Sequence, residues 1–160
     1  MAPSVAGHIM RRLSENVFIQ MVLPPTGANV TDAVYPSTYI DVSGYGRFAF
    51  LVAVGTSNDT AVSAQVVQAT AAAGTGSKNV TSAAITTTTL AGSSSDDRWA
   101  IIEVETNHLD IANGFRYVSL NVAATGGSAT AMAVFFMAWR GRSLPPTFGT
   151  DLAEQVFLDG

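Results

Sequence analysis

The sequence predicts an all-β fold, a jelly-roll-like β-sandwich of about eight antiparallel strands with N- and C-terminal arms. Three observations lead to this prediction. Short runs rich in β-branched and aromatic residues recur along the 160-residue chain, clusters of Gly, Ser, Thr, Asn and Pro separate them, and helix signals are scarce. The length suits one domain. We place the sandwich at residues 17–142, between an N-terminal arm of residues 1–16 and a C-terminal tail of residues 143–160.

The predicted strands are residues 17–23, 38–42, 47–54, 61–68, 79–85, 99–105, 115–122 and 130–139. Pro24 and Pro25 close the first of them. In the third, the larger side chains occupy the even positions from Phe48 to Val54. This period of two predicts that the even face lies in the core.

The later strands show the same alternation. In residues 99–105, one side carries Trp99, Ile101, Glu103 and Glu105, and the other carries Ala100, Ile102 and Val104. In residues 115–122, Val118, Leu120 and Val122 point one way, and Tyr117, Ser119 and Asn121 point the other way. Residues 130–139 are bulky on both faces, which predicts a central strand or one covered by a neighbouring subunit.

Three further segments have a predicted conformation. Residues 69–95 are biased toward Ala, Thr, Ser and Gly, but their strand propensity favours a long hairpin with uncharged sides over a flexible linker. The stretch "TNHLDIANG" predicts a turn that ends at Gly114. The stretch "TDLAEQVFLDG" predicts a C-terminal helix capped by Thr150 or Asp151.

The two terminal segments lack a strand pattern. Residues 143–160 begin "SLPPTFG", which is extended because each proline disfavours helix in the residue before it. Frayed termini are the alternative, but they would leave Phe148 and Phe157 in solvent. We therefore expect arms that reach over a neighbouring molecule.

The composition is unusually poor in charge. Charged residues make up 12% of the chain and hydrophobic ones 48%, whereas an average soluble domain has about 25% charged residues. Much of the surface is therefore expected to face other protein. A monomer whose surface consists of Ser, Thr, Asn and Gly stays open as the alternative.

Several partners and compartments are not expected. The net charge is −4, Lys78 is the single lysine, and the arginines are scattered, so we predict no nucleic-acid binding. Without cysteine, disulfides and thiolate metal sites are impossible. The N-terminus does not resemble a signal peptide, and the apolar run of residues 131–139 is too short to span a bilayer. We expect a soluble protein made in the cytoplasm, with no membrane partner.

No sequence motif indicates a catalysed reaction or a bound cofactor. "SGYGRFAFLVAVG" lacks the third glycine and the following helix of a nucleotide-binding loop, so Gly44 and Gly46 are interpreted as a turn into the strand at Arg47. His8 and His108 are a hundred residues apart, and no nucleophile elbow accompanies His108 and Asp110. We predict no cofactor, no metal and no enzymatic activity.

The carboxylates suggest two further hypotheses, a calcium site and a glycosidase site. The first is that Asp96 and Asp97 bind calcium through their carboxylate oxygens, although they lack the regular spacing of a calcium-binding loop. Glu103 and Glu105 share a strand face about 7 Å apart, a separation that glycosidases also use. Three Asn-x-Thr sequons begin at Asn29, Asn58 and Asn79, and are interpreted as chance occurrences in a Thr-rich chain.

Three stretches carry a resemblance to a known family: "DVSGYGRFAFLVAVG", "VVQATAAAGTGSKNVTSAAIT" and "DDRWAIIEVETNHLDIANGFRYVSLNVAA". Together they resemble the capsid decoration (cement) proteins of tailed bacteriophages, over roughly residues 40–138. The resemblance implies a jelly-roll-like subunit, often a homotrimer, on the outer surface of a capsid. It implies the major capsid protein and copies of itself as partners, and no active site.

The first functional hypothesis is therefore a virion protein that bridges major capsid subunits. We predict that Arg11, Arg12, Arg140 and Arg142 make polar contacts there, and that Phe148 and Phe157 are apolar anchors. The second hypothesis is a head-fibre or tail component that binds a host glycan or receptor through Trp99, Tyr45 and Tyr117. The third is a hydrolase that uses Glu103 and Glu105.

Overall fold

The computed structural model of the chain describes residues 13–25, 34–57, 61–85, 98–126 and 130–141. A four-residue helix, α1 (Leu13–Asn16), precedes the strands. Within these ranges the strands are β1 (Val17–Leu23), β2 (Val34–Pro36), β3 (Ile40–Asp41), β4 (Arg47–Ser57), β5 (Ala61–Ala69), β6 (Lys78–Ile85), β7 (Arg98–Glu105), β8 (Tyr117–Thr125) and β9 (Thr130–Trp139). Two 3-10 turns, Thr106–His108 and Ile111–Asn113, connect β7 to β8.

The strands form two antiparallel sheets. The first has the order β1-β9-β4-β7, and the second has the order β2-β8-β5-β6, with β3 also paired to β8. Because β2 and β3 pair with the same neighbour, they act as one interrupted strand. The result is an eight-strand sandwich in jelly-roll order, which confirms the predicted fold class.

The interruption between β2 and β3 corrects the second predicted strand. Of residues 38–42, only Ile40 and Asp41 belong to a strand, and β2 was not predicted. Between the two strands, the Ser37 amide donates to the Leu120 carbonyl, and the Ser37 hydroxyl accepts from the Leu120 amide at 2.9 Å. A side chain thus takes part in the ladder, and period-two patterning cannot reveal this.

The core lies between the sheets, and aromatic rings fill its centre. Phe48 and Phe50 of β4 and Phe136 of β9 are fully buried. The centroid of Phe136 lies 5.2 Å from that of Phe50 and 6.0 Å from that of Phe48, within the range of favourable aromatic pairs. The predicted core face of β4 is therefore confirmed.

Burial supports most of the alternation predicted for the later strands. Ile102 and Val104 are buried in β7, and Trp99 and Ile101 are exposed. β9 is central, between β1 and β4. Ser119 lies on the outward side of β8, as predicted, but it is fully buried there, and its hydroxyl donates to the Ser37 carbonyl at 2.7 Å.

β5 and β6 form a hairpin, whereas the predicted hairpin comprised residues 69–95. The strands close around residues 70–77, and residues 86–97 lie outside the described part of the chain. A large bulge in β6 lies between the pairs Gln65–Ala84 and Val67–Asn79. The sides are not uncharged either, because Lys78 forms an ion pair with Asp110.

The predicted turns are confirmed. β4 begins at Arg47, after the turn that contains Gly44 and Gly46. A Cβ atom on Gly46 would lie 3.2 Å from the Cβ of Arg140, which is closer than ordinary van der Waals contact. Gly114 ends the second 3-10 turn with a φ of 80°, a left-handed conformation that favours glycine.

Candidate interaction face

The first sheet presents a largely apolar surface to the outside. We call it the outer face and define it as the side chains of the first sheet that alternate with its core residues and point away from the second sheet. It consists of Val17, Ile19, Met21, Arg47, Ala49, Leu51, Ala53, Trp99, Ile101, Glu103, Glu105, Ala133, Phe135, Met137 and Trp139.

Strand register arranges these side chains in rows across the four strands. One row reads Met21, Phe135, Leu51 and Ile101, and every member is directly opposite the next. With a spacing of about 4.8 Å between strands, this row of large apolar side chains is about 14 Å wide. Neighbouring rows add Ile19 with Met137, and Ala133 with Ala53.

Several of these side chains are open to solvent. Trp99 is 65% exposed, Ile101 48% and Met21 36%. The second sheet differs, because the outward positions of β5 and β8 that reach solvent are mostly small or polar (Ala61, Ser63, Gln65, Asn121 and Ala123), and the apolar Val67 is buried. An apolar patch on one face only is typical of an interaction surface.

Charge on the outer face is confined to one end. The Arg47 guanidinium donates to the Glu103 carboxylate at 3.1 Å and also to the Glu105 carboxylate. Hydrogen bonding and charge from Arg47 hold the pKa of Glu105 below its ordinary value. The three charges therefore form one partly exposed cluster and leave the rest of the outer face uncharged.

The hydrolase hypothesis finds little support in this cluster. A glycosidase needs one carboxyl group whose pKa is raised, so that it can act as the acid. Both carboxylates instead contact the same guanidinium, and the pKa of Glu105 is lowered. A groove of about 340 Å³ beside them is lined partly by residues 80–83 and His108.

The other polar groups considered from the sequence form no site among the described residues. The Asp110 carboxylate accepts hydrogen bonds from Lys78 and Asn113, and these contacts lower its pKa. His8, Asp96 and Asp97 lie outside the described residues. Within the described ranges, no group of three or more His, Asp or Glu side chains is placed to hold a metal ion.

The three aromatic residues of the glycan hypothesis lie apart. Trp99 is opposite Ala53 on the outer face, whereas Tyr45 lies just before Arg47, beyond the other end of the sheet. Tyr45 packs against Phe18, and burial raises its pKa. Tyr117 belongs to the second sheet, where the Arg116 side chain contacts its hydroxyl at 3.0 Å. They form no shared sugar-stacking patch.

Among the predicted interface residues, the structure describes only Arg140. It is exposed directly after β9 and has a φ of 56°. Arg11, Arg12, Arg142, Phe148 and Phe157 lie outside the described residues, as does the predicted C-terminal helix.

Sequence reasoning missed the outer face as a unit. Two features of the sequence pointed to this face. Residues 130–139 are bulky on both sides, which is consistent with a covering subunit, and Trp99 and Ile101 lie on the side of β7 away from the core. Which strands lie side by side was not predictable from the pattern, so the four apolar stripes were not seen as one surface.

No protein-family model matches the sequence, and no curated protein matches it. A chain from a solved structure of Bacillus endospore appendages, described as a novel family of disulfide-linked pili, is similar over 78% of this chain and 88% of its own length. The identity is 11% and the TM-score 0.41, and at these values the likeness carries no conclusion about this chain. None of the described helices is long and apolar enough to cross a membrane.

Proposed function

We propose that this chain is a structural virion protein that decorates and stabilises the capsid of a tailed phage. In this proposal it lies on the outer surface of the shell, where it bridges major capsid subunits and associates with copies of itself. The observation that carries the proposal is the outer face, a largely apolar surface whose charges are confined to one end.

The energetics favour burial of this surface. Removing apolar area from water contributes roughly 25 cal/mol per Å², whereas burying an unpaired charge is costly. Only Arg47, Glu103 and Glu105 are charged on the outer face, and they already neutralise one another in part. A flat face of this kind can therefore pack against a shell with a small desolvation cost.

The terminal segments add to the proposal. β1 begins beside the end of β9, because Val17 is paired with Trp139. The described chain therefore enters β1 and leaves β9 at the same end of the outer face. We propose that Arg11, Arg12, Arg140 and Arg142 contact acidic groups of the shell there, and that Phe148 and Phe157 anchor the tail.

Cosedimentation with phage heads that lack decoration tests the proposal. The wild-type chain is expected to pellet with the heads in a saturable manner. Met21→Glu and Met137→Glu place a charge on the outer face and should weaken binding at least tenfold, because the new carboxylate must be desolvated.

Ser63→Glu is the matched control, since it adds the same charge to the outward side of the second sheet. It should bind like the wild type. If the wild type ignores the heads, or if Ser63→Glu weakens binding as much as Met137→Glu does, the proposal fails. Binding to a glycan array instead of heads would favour the receptor-binding alternative.

A further inference from the structure

The sheet edges of this sandwich differ in how they are protected against pairing with another chain. An exposed strand edge has unpaired amides and carbonyls, and proteins block it with bulges, prolines or interruptions. Three of the four edges carry such features. β1 has a register shift between Met21 and Leu23, β2 ends at Pro36 and is separated from β3, and β6 is bulged, with Ser82 at a φ of 61°.

β7 lacks these features. It pairs with β4 in unbroken register from Arg98 to Glu105, and it contains no proline. No described strand pairs with its other edge. The charges of Glu103 and Glu105 are held by Arg47 on the neighbouring strand, so they protect the edge less than free carboxylates would.

We propose that β7 pairs edge to edge with β7 of a second copy of this chain, antiparallel and about a two-fold axis at Ile101. The proposal concerns self-association alone and does not depend on the shell. The pairing joins the first sheets of two molecules into one sheet of eight strands, with the two outer faces on the same side.

The alternation of side chains restricts the register. For the two cores to lie on the same side, outward residues must be opposite outward residues, so the axis must pass through a residue. An axis at Ile101 places the two copies of this half-exposed side chain opposite each other, with Cβ atoms about 5 Å apart. Trp99 is then opposite Glu103 of the second copy, and Ala100 is opposite Ile102.

The neighbouring registers are poorer. An axis at Ile102 places Ile101 opposite Glu103, and Trp99 opposite Glu105, so no two exposed apolar side chains meet. An axis at Glu103 places two carboxylates directly opposite each other, which is unfavourable. An axis at Ala100 places Trp99 opposite Ile101, but it pairs only residues 98–102 of β7, whereas the axis at Ile101 pairs residues 98–104. The register at Ile101 therefore combines a long ladder with an apolar pair on the axis, and it places no like charges of β7 opposite each other.

The second copy suits this edge better than an unrelated strand. A two-fold contact requires a self-complementary patch, and β7 is one: its small Ala100 meets the larger Ile102 on the core side, and its apolar Ile101 meets itself on the outer side. A groove of about 340 Å³ separates residues 102–105 of this edge from residues 80–83 of β6.

Single cysteines test the register, because the chain has no cysteine of its own. Ile101→Cys should form a covalent dimer under mild oxidation, at least tenfold more than Ser63→Cys, the control on the second sheet. Trp99→Cys and Glu103→Cys should crosslink to each other when mixed, and each alone much less. If Ile101→Cys gives no more dimer than Ser63→Cys, the proposed pairing is wrong.

Solution mass gives the second measurement. The wild type should form a dimer of twice 16.6 kDa, or an assembly of such dimers, and Ile101→Lys should be monomeric because it places a charge on the axis. Ser63→Lys should remain dimeric. A wild type that is strictly trimeric or monomeric would overturn the pairing, since equivalent subunits in a trimer are not joined by two-fold contacts. Cosedimentation with heads remains a separate readout for the proposed function.

Discussion

At the scale of single residues, Ser37 holds two strands together. Its hydroxyl accepts from the Leu120 amide at 2.9 Å and lies 3.1 Å from the Ser119 hydroxyl, in a buried site. The Ser119 hydroxyl in turn donates to the Ser37 carbonyl. These contacts connect β2 to β8 at the point where the strand is interrupted.

Ser37→Ala should lower the free energy of unfolding by about 1–3 kcal/mol, because the buried Leu120 amide loses its acceptor. Urea denaturation measures the change. Ser63→Ala, a serine on the outward side of the same sheet, should change stability by less than about 0.5 kcal/mol. Equal effects of the two substitutions would contradict the role of Ser37.

Two ion pairs predict a pH dependence of stability. The pKa of Glu105 lies below its ordinary 4.5 because of Arg47, and that of Asp110 lies below its ordinary 3.8 because of Lys78. Both carboxylates are thus more acidic in the folded than in the unfolded chain. The two ion pairs stabilise the fold fully above the pKa values of the unfolded chain. This stabilisation is lost as the pH falls through the pKa values of the folded chain.

The urea concentration at the midpoint of unfolding should therefore decrease as the pH is lowered from 6 to 3. Asp110→Asn removes one of the two groups, so its midpoint should fall less over the same range. A wild-type midpoint that stays constant or rises toward pH 3 would show that these ion pairs do not control the acid side of the stability profile.

At the scale of elements, the bulge in β6 depends on Gln65. The Gln65 amide donates to the carbonyls of Val80 at 3.1 Å and Ala83 at 3.2 Å, on both sides of the bulge. These contacts compensate for the ladder bonds that the bulge removes. They keep β6 attached to β5 although its backbone departs from the regular register.

Gln65→Leu should lower the free energy of unfolding by about 1–3 kcal/mol, because both carbonyls lose a donor. Amide hydrogen exchange should accelerate most in residues 78–85. Asn121→Leu is the matched control, since Asn121 is directly opposite Gln65 on the same face. If exchange accelerates equally in both variants, Gln65 does not hold the bulge.

At the scale of the whole molecule, the two faces of β9 have different roles, one in the stability of the core and the other in the proposed binding. Phe136 is fully buried among Phe48 and Phe50, whereas the adjacent Phe135 is half-buried on the outer face. Successive residues of one central strand therefore serve the core and the proposed interface. The same substitution at the two positions should give different results.

Phe136→Ala should lower the free energy of unfolding by about 3–5 kcal/mol, because it leaves a cavity in the aromatic core. Phe135→Ala should cost less stability and weaken binding to phage heads. Urea denaturation and cosedimentation measure the two effects. A Phe135→Ala variant that binds heads like the wild type would contradict the role of the outer face.

The sequence predicted the strands well where alternation was strong. β1 and β9 have the predicted bounds, and β4, β5, β6 and β7 differ by three residues or fewer at either end. Period two is a local property, and it also identified the core side of β4 and β7. Strand β2 and the burial of Ser119 were not predicted, and both involve side-chain hydrogen bonds between residues far apart in sequence.

The interaction face was harder to predict than the fold. Its central row joins Met21, Leu51, Ile101 and Phe135, which are up to 114 positions apart (135 − 21). Only the strand order brings them together, and the alternation of single strands does not contain this order. The pairing of Arg47 with Glu103 and Glu105 was hidden for the same reason.

The pairing of Val17 with Trp139 also determines how the sandwich responds to mechanical load. The chain enters at the start of β1 and leaves at the end of β9, on adjacent antiparallel strands. A force that pulls on both terminal segments therefore breaks the hydrogen bonds between β1 and β9 one pair at a time, in the unzipping geometry. It does not load all of these bonds at once, as the shear geometry would. Under such tension β1 detaches first, while β4 and the strands of the second sheet still hold the aromatic centre.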